Sequence, residues 1–169
     1  AVRQVLRSGI RLTDSAEREE IRAIVEEHCR TLLDEDLAVL GYWEWLEGLE
    51  RGVAAHHAGM LPAFKEVVEE LFQKKLVKAV FATETLALGI NMPARTVVLE
   101  KLEKFNGEAR VPITPGEYTQ LTGRAGRRGI DVEGHSVIQW VDGLDPQAVA
   151  SLASRRTYPM NSSFRPTYN

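Results

Sequence analysis

The spacing of apolar residues predicts two helices in the first third of the chain. Residues 13–33 carry an apolar stripe at helical spacing, which predicts an amphipathic helix. The stripe consists of Ile21, Ile24, Val25, Cys29 and Leu32. Asp14 and Glu17 stand three residues apart at its start, which is the spacing of a capping box. A second helix is predicted over residues 34–52, ending at Gly52.

After residue 52 the pattern changes to short apolar runs that alternate with longer amphipathic segments. The predicted strands are 52–57, 76–83, 95–101 and 134–141. The predicted helices are 61–75, 83–90, 114–128 and 145–154. Strands that alternate with helices indicate crossover units and an α/β fold with a parallel sheet, covered by helices on both faces.

Composition and charge narrow the class of protein. The chain has 169 residues, enough for one domain and a short extension. Its single cysteine, Cys29, excludes an internal disulfide framework and favours a reducing, cytoplasmic location. No apolar run approaches the roughly 18 residues that a membrane-spanning helix needs, so no membrane partner is expected.

The net charge of −3 is unevenly distributed. Residues 1–50 hold 12 acidic and 6 basic side chains, whereas the remaining 119 hold 12 acidic and 15 basic ones. A phosphate-binding surface therefore belongs to the second part of the chain.

The segment "QLTGRAGRRGID", residues 120–131, is the richest in candidate chemistry. On a helix with about 100° per residue, Gln120, Arg124 and Arg127 fall on one side. Arginine matches phosphate oxygens with a planar fork of fixed charge. The interleaved glycines, Gly123 and Gly126, would let a polyanion approach the backbone closely.

An alternative is a surface helix whose arginines pair with acidic side chains of residues 14–36. An isolated R-x-x-R pattern favours this alternative. The whole string, with its glutamine and its glycines, favours a phosphate ligand.

Three ordered motifs and the last six residues carry a family resemblance. "QLTGRAGRRGID" resembles motif VI of superfamily two helicases, and residues 81–98, "FATETLALGINMPARTVV", resemble motif V of the superkiller-type (Ski2-like) DExH-box helicases. Residues 53–72 resemble the segment before motif V, and "FRPTYN" resembles the start of the winged-helix domain in that group. The greatest similarity is to actinobacterial HelY-like helicases. The resemblance implies a RecA-like (P-loop NTPase-type) fold.

The resemblance implies catalytic and nucleotide-binding roles for five residues. Arg127 is similar to the arginine finger that reaches the γ-phosphate of ATP, Arg124 to a second phosphate contact, and Gln120 to a nucleotide sensor. Gly89 and Asn91 resemble the motif V positions near the ribose and the catalytic water.

Five further residues resemble nucleic-acid contacts. Thr83, Glu84 and Thr85 resemble positions that hold the nucleic-acid backbone, and His57 with Gly59 resembles a second clamp. Taken alone, Thr83 fits a simple helix N-cap nearly as well, and a strand-end histidine is more often structural. His56 and His57 alternate across a strand end, so one is expected to be buried and the other exposed.

The chain has no G-x-x-x-x-G-K-[ST] loop and no DExH sequence. We therefore expect ATP and Mg²⁺ to be held mainly by a preceding first RecA-like domain. On this interpretation residues 1–157 form a C-terminal helicase domain that lacks its first strand, and residues 158–169 form a linker and the start of a winged-helix domain. The expected function is the C-terminal motor domain of an ATP-dependent 3′–5′ helicase.

The expected partner is single-stranded nucleic acid, with RNA favoured over DNA, and the fragment alone is expected to be inactive. Two other classes stay open. One is a non-enzymatic module that binds single-stranded nucleic acid through its arginines. The other is a free-standing nucleotide-binding domain, which the missing phosphate loop disfavours.

Overall fold

The structure is a computed structural model that describes residues 1–30, 41–83, 92–127 and 129–154. The described residues divide into two compact units, one within Ala1–Met92 and the other within Pro93–Asn169. The predicted winged-helix start at 158–169 lies outside the described residues. Of the predicted helix at 83–90, only residue 83 is described.

The first unit contains helices and one pair of strands. Its helices are α1 (Val2–Arg7), α2 (Ser15–Cys29), α3 (Tyr42–Glu50) and α4 (Pro62–Gln73). Its strands are β1 (Val53–His56) and β2 (Ala79–Ala82). The two strands are parallel, with Val53 opposite Ala79 and His56 opposite Ala82. Helix α1 was not predicted from the sequence.

The helix signals in this unit act as expected. The Asp14 carboxylate accepts a hydrogen bond from the Glu17 backbone N–H at 2.8 Å, and the Glu17 carboxylate accepts one from the Asp14 N–H at 3.0 Å. This reciprocal pair satisfies two of the donors that the start of α2 leaves open. Gly52 follows α3 with φ +80°, and Pro62 occupies the first turn of α4.

Helices α2, α3 and α4 pack around a single apolar core. Its fully buried side chains include Ile21, Val25, Leu49, Val67, Val68, Leu71 and Val77. The Trp45 and Phe64 rings stack within it, with centroids 4.1 Å apart and planes inclined by 10°. At the rim, Glu70 of α4 accepts from His28 of α2 and pairs with Lys74, with oxygen–nitrogen distances of 2.8 and 2.9 Å.

The second unit contains two strand pairs and two helices. The strands are β3 (Thr96–Leu99), β4 (Glu103–Phe105), β5 (Arg110–Pro112) and β6 (His135–Ile138). The helices are α5 (Pro115–Thr122) and α6 (Pro146–Ser154). Strands β3 and β6 are parallel, and their core is formed by Leu99, Ile113 and Tyr118 with Val97, Leu102, Leu121, Ile138 and Leu152.

Strands β4 and β5 form an antiparallel hairpin that was not predicted. Asn106 starts the turn, and its side-chain oxygen accepts from the backbone N–H groups of Glu108 and Ala109 at 3.0 and 2.9 Å. Gly107 follows with φ +106°. Asn-Gly between two short runs is a strong hairpin signal, so the sequence did contain it.

The α/β prediction is confirmed. Within the described residues the parallel strands form two pairs, one in each unit. A helix lies along the chain between the strands of each pair: α4 between β1 and β2, and α5 between β3 and β6. The strands are shorter than predicted. None of the described helices has both the length and the apolar character needed to cross a membrane.

Candidate functional site

Helix α5 leads into the arginine-rich segment and ends earlier than predicted. A capping box between Thr114 and Glu117 starts it, and the last helical residue is Thr122. Gly126 has φ +88°, which no helix contains. The predicted helix over 114–128 is therefore wrong at its end. The placement of Gln120, Arg124 and Arg127 on one helical face is wrong for the same reason.

We call residues 123–134 the arginine loop; Arg128 within it lies outside the described residues. The start of the loop is bonded to the chain just before β3. Ala94 donates to the Arg124 carbonyl at 2.9 Å and accepts from the Gly126 N–H at 2.7 Å. These bonds form a parallel bridge between Ala94 and Ala125. The loop thus replaces helical hydrogen bonds with sheet-type ones.

The loop's glycines allow two stretches of its own backbone to touch. A Cβ on Gly134 would lie 2.5 Å from the carbonyl carbon and oxygen of Ala125 and from the Gly126 nitrogen. A Cβ on Gly126 would lie 3.1 Å from the Gly134 Cα. The expectation that Gly126 admits a polyanion is corrected here, since the close approach is made by the protein chain itself.

Arg127 is held by Asp131 within the same loop. Its Nε and Nη2 donate to Asp131 Oδ2 and Oδ1 at 2.7 and 2.6 Å, and its backbone N–H donates to Oδ2 at 2.9 Å. The Asp131 backbone N–H in turn donates to the Arg127 carbonyl at 2.9 Å. The bonded Arg127 guanidinium holds the pKa of the Asp131 carboxyl far below its usual range.

This ion pair leaves part of the guanidinium available. Arg127 retains 26% of its side-chain exposure, whereas Asp131 retains 8%. Within the described part of the chain, Nη1 has no hydrogen-bond partner. Arg127 thus pairs with a protein acid, as in the alternative of a surface helix, although the acid is Asp131 and not one of residues 14–36.

Of the other four predicted nucleotide contacts, the structure describes Gln120 and Arg124. Gln120 is exposed in the last turn of α5, and the half-buried Arg124 follows the end of that helix. Gly89 and Asn91 lie outside the described residues.

A second candidate region lies at the carboxyl ends of β1 and β2, in the first unit. His56 is 2% exposed and its Nε2 lies 3.0 Å from Glu69 Oε1, whereas His57 is exposed. The expected alternation of the two histidines is confirmed. The His57 carbonyl accepts from the Met60 N–H at 3.1 Å, which forms a tight turn. A Cβ on Gly59 would lie 3.3 Å from His57 Nδ1, so this glycine keeps the ring uncrowded.

Thr83 lies beside this turn. It is exposed at the end of β2, and its N–H donates to the His56 carbonyl at 3.3 Å. Because β1 and β2 are parallel and in register, His57 and Thr83 leave the same edge of the pair. The structure therefore brings together His57, Gly59 and Thr83. Glu84 and Thr85 lie outside the described residues.

Sequence reasoning missed Asp131, Gly134 and Ala94. Oppositely charged residues four positions apart often pair, so the spacing of Arg127 and Asp131 was a weak signal of their ion pair. The contacts of Ala94 and Gly134 with the loop are tertiary and left none.

Comparison with known proteins identifies the family. Residues 6–129 match the helicase conserved C-terminal domain. The chain is 69% identical over its full length to the probable helicase HelY of Mycobacterium tuberculosis, of which it spans 19%. It is 39% identical to a DExH-box ATP-dependent RNA helicase of Arabidopsis thaliana, with 94% of the chain and 16% of the relative covered.

A third relative is the ATP-dependent RNA helicase mtr4 of Schizosaccharomyces pombe, 38% identical, with 96% of the chain and 14% of the relative covered. The chain thus spans less than a fifth of the length of these relatives. The family match covers most of the chain, and the parallel strands with intervening helices agree with it. The chain therefore belongs to the helicase conserved C-terminal domain family, as a RecA-like domain of the Ski2-like DExH-box helicases.

Proposed function

We propose that this chain is the second motor domain of an ATP-dependent helicase and that Arg127 is its arginine finger. ATP with Mg²⁺ would be bound mainly by a first RecA-like domain that precedes it. The observation that carries the proposal is Arg127 itself. Its backbone N–H and carbonyl are bonded to Asp131, and the preceding Gly126 is bonded to Ala94. Its guanidinium is held by Asp131 along one edge and is partly exposed elsewhere.

Such a residue suits phosphoryl transfer. Charge spreads over the γ-phosphate oxygens in the transition state, and a cation already in place stabilises it without reorganisation. An arginine finger contributes roughly 10³- to 10⁵-fold in rate. Because the arginine loop is bonded to Ala94 and packed on itself at Gly134, its backbone is pre-organised for this task.

The His57–Thr83 edge supports a role in holding single-stranded nucleic acid. An imidazole and a hydroxyl at the carboxyl ends of parallel strands can donate hydrogen bonds to phosphate oxygens. These contacts would grip the backbone without reading the bases. RNA is the favoured substrate because two of the relatives are named RNA helicases. A 3′–5′ direction is proposed from the family resemblance.

The proposal is tested by Arg127→Ala in the full-length helicase. We expect kcat for nucleic-acid-stimulated ATP hydrolysis to fall by about 10³-fold or more, since the transition state loses its cation. ATP binding, measured with a fluorescent analogue, should be largely retained because the first domain holds the nucleotide.

The matched control is Arg30→Ala, which removes an exposed arginine whose Nη1 lies 3.5 Å from Glu27. It should leave kcat unchanged. Retention of wild-type turnover by Arg127→Ala would refute the finger assignment.

A further inference from the structure

The geometry of the Arg127–Asp131 pair divides the guanidinium into two edges. The Asp131 carboxylate occupies the edge formed by Nε and Nη2. A guanidinium carries five N–H groups, of which this pair uses two. The edge formed by Nη1 and the second Nη2 hydrogen keeps the fork geometry that matches two phosphate oxygens.

Asp131 is itself fixed in place. Oδ2 accepts from both the Arg127 backbone N–H and Nε, and the Asp131 backbone N–H donates back to the Arg127 carbonyl. Its side chain is 8% exposed, so water competes little for these bonds. A carboxylate with three donors in fixed positions sets both the angle and the reach of the arginine side chain.

We propose that Asp131 is a positioning residue that aims the free edge of Arg127 at the γ-phosphate. This inference rests on the proposed function of Arg127. Asp131 touches neither nucleotide nor water in the reaction. It restrains the rotamers of the Arg127 side chain before ATP binds. The entropy lost in ordering that side chain is therefore not added to the activation free energy of hydrolysis.

Asp131→Asn in the full-length helicase is the informative substitution. The amide has the shape of the carboxylate, and its oxygen can still accept from the Arg127 backbone, which preserves the loop. Its NH₂ group cannot accept the hydrogen bond that Arg127 Nη2 donates to Oδ1, and the two N–H donors would face each other. We expect kcat to fall about 10- to 100-fold, as expected for a misplaced catalytic group. KM for ATP should change by less than about threefold, because ground-state binding is unaffected.

A double-mutant cycle separates positioning from general support of the fold. If Asp131 acts through Arg127 alone, adding Asp131→Asn to Arg127→Ala should change the residual single-turnover rate by less than about twofold. Glu133→Gln is the matched control, since it removes an exposed acid from the same loop. It should leave kcat and KM as in the wild type.

Arg127→Lys provides a second variant that leaves Asp131 intact. Lysine keeps the charge but cannot form two parallel bonds, so kcat should fall about as far as in Asp131→Asn. The proposal is overturned if Asp131→Asn or Arg127→Lys keeps wild-type kcat, or if Asp131→Asn lowers the rate equally in both backgrounds. Each of these results would overturn the role of Asp131 alone. Failure of the proposed function is a different result, namely that Arg127→Ala retains wild-type turnover.

Discussion

Single residues in the arginine loop differ in what the surrounding chain demands of them. Gly134 has backbone atoms of Ala125 and Gly126 where its side chain would stand. Backbone in a hydrogen-bonded bridge cannot shift as a flexible side chain can. The Arg127 side chain, in contrast, is held by the Asp131 carboxylate and keeps exposed surface for a ligand. The loop therefore joins a backbone held by backbone contacts to a side chain held by an ion pair.

Gly134→Ala should lower the free energy of unfolding by roughly 1–3 kcal/mol, the usual cost of overpacking a well-fitted site. The cause is the 2.5 Å approach of the new Cβ to Ala125 and Gly126. Urea denaturation measures the change. Gly116→Ala is the control, because a Cβ there meets no atom within 4 Å. Equal stability of the two variants would contradict the backbone contact.

At the scale of elements, the sequence predicts those helices and strands whose ends are marked by local signals, and it fails where a tertiary contact sets the end. Helices α2 and α4 were predictable because a capping box or an early proline marks their starts and their apolar residues recur at helical spacing. The hairpin of β4 and β5 was missed although Asn106 and Gly107 mark its turn. The end of α5 could not be predicted in the same way, because the bonds to Ala94 come from a distant part of the chain.

The candidate site followed the same division. The sequence named Arg127, His57 and Thr83 as candidates because they lie in motif-like segments, and their roles stay predictions. Their geometry could not, since a helical projection assumes a regular backbone that Gly126 breaks. Asp131 was overlooked because its partner depends on the loop conformation and not on a helix.

Helices α2 and α4 are joined by Glu70, and this gives stability a pH dependence. The hydrogen bond from Lys74, followed by that from His28, holds the pKa of Glu70 below its usual value. The ionised carboxylate therefore stabilises the fold at neutral pH, and the contribution is lost as pH falls below the unfolded pKa of about 4.3 and through the folded one. The effect should be modest and reduced by salt, because the pair is partly exposed.

Glu70→Gln should flatten the fall in the urea midpoint between about pH 5 and pH 3, where glutamates titrate. Glu66→Gln changes an exposed glutamate of the same helix and serves as the control. It should leave the pH profile steeper than that of Glu70→Gln. Identical profiles for the two variants would contradict the role of Glu70.

At the scale of the whole molecule, the proposed motor function depends on another domain. In that proposal Arg127 supplies a cation for a phosphate, and the His57–Thr83 edge supplies contacts for a nucleic-acid backbone. A rival function, in which the arginines bind nucleic acid directly without catalysis, uses the same residues. The two functions differ in what the chain does alone.

The motor proposal predicts that the isolated chain lacks ATPase activity and binds single-stranded RNA weakly. Linking it to its first RecA-like domain should produce RNA-stimulated hydrolysis. The binding module predicts tight binding by the isolated chain, with an affinity that falls steeply with salt. Filter binding across a salt series, combined with an ATPase assay of both proteins, distinguishes them. A tightly binding chain whose linked form does not hydrolyse ATP would favour the module.

The stacked pair of Trp45 and Phe64 has an optical consequence. The chain has three tryptophans, and the other two, Trp43 and Trp140, are 70% and 62% exposed. Replacing both with phenylalanine would leave Trp45 as the one tryptophan, and its indole N–H is buried in the first unit. Its fluorescence would follow the melting of that unit alone, while circular dichroism follows every helix. Comparing the two traces would show whether the halves of the molecule lose their structure together or in turn.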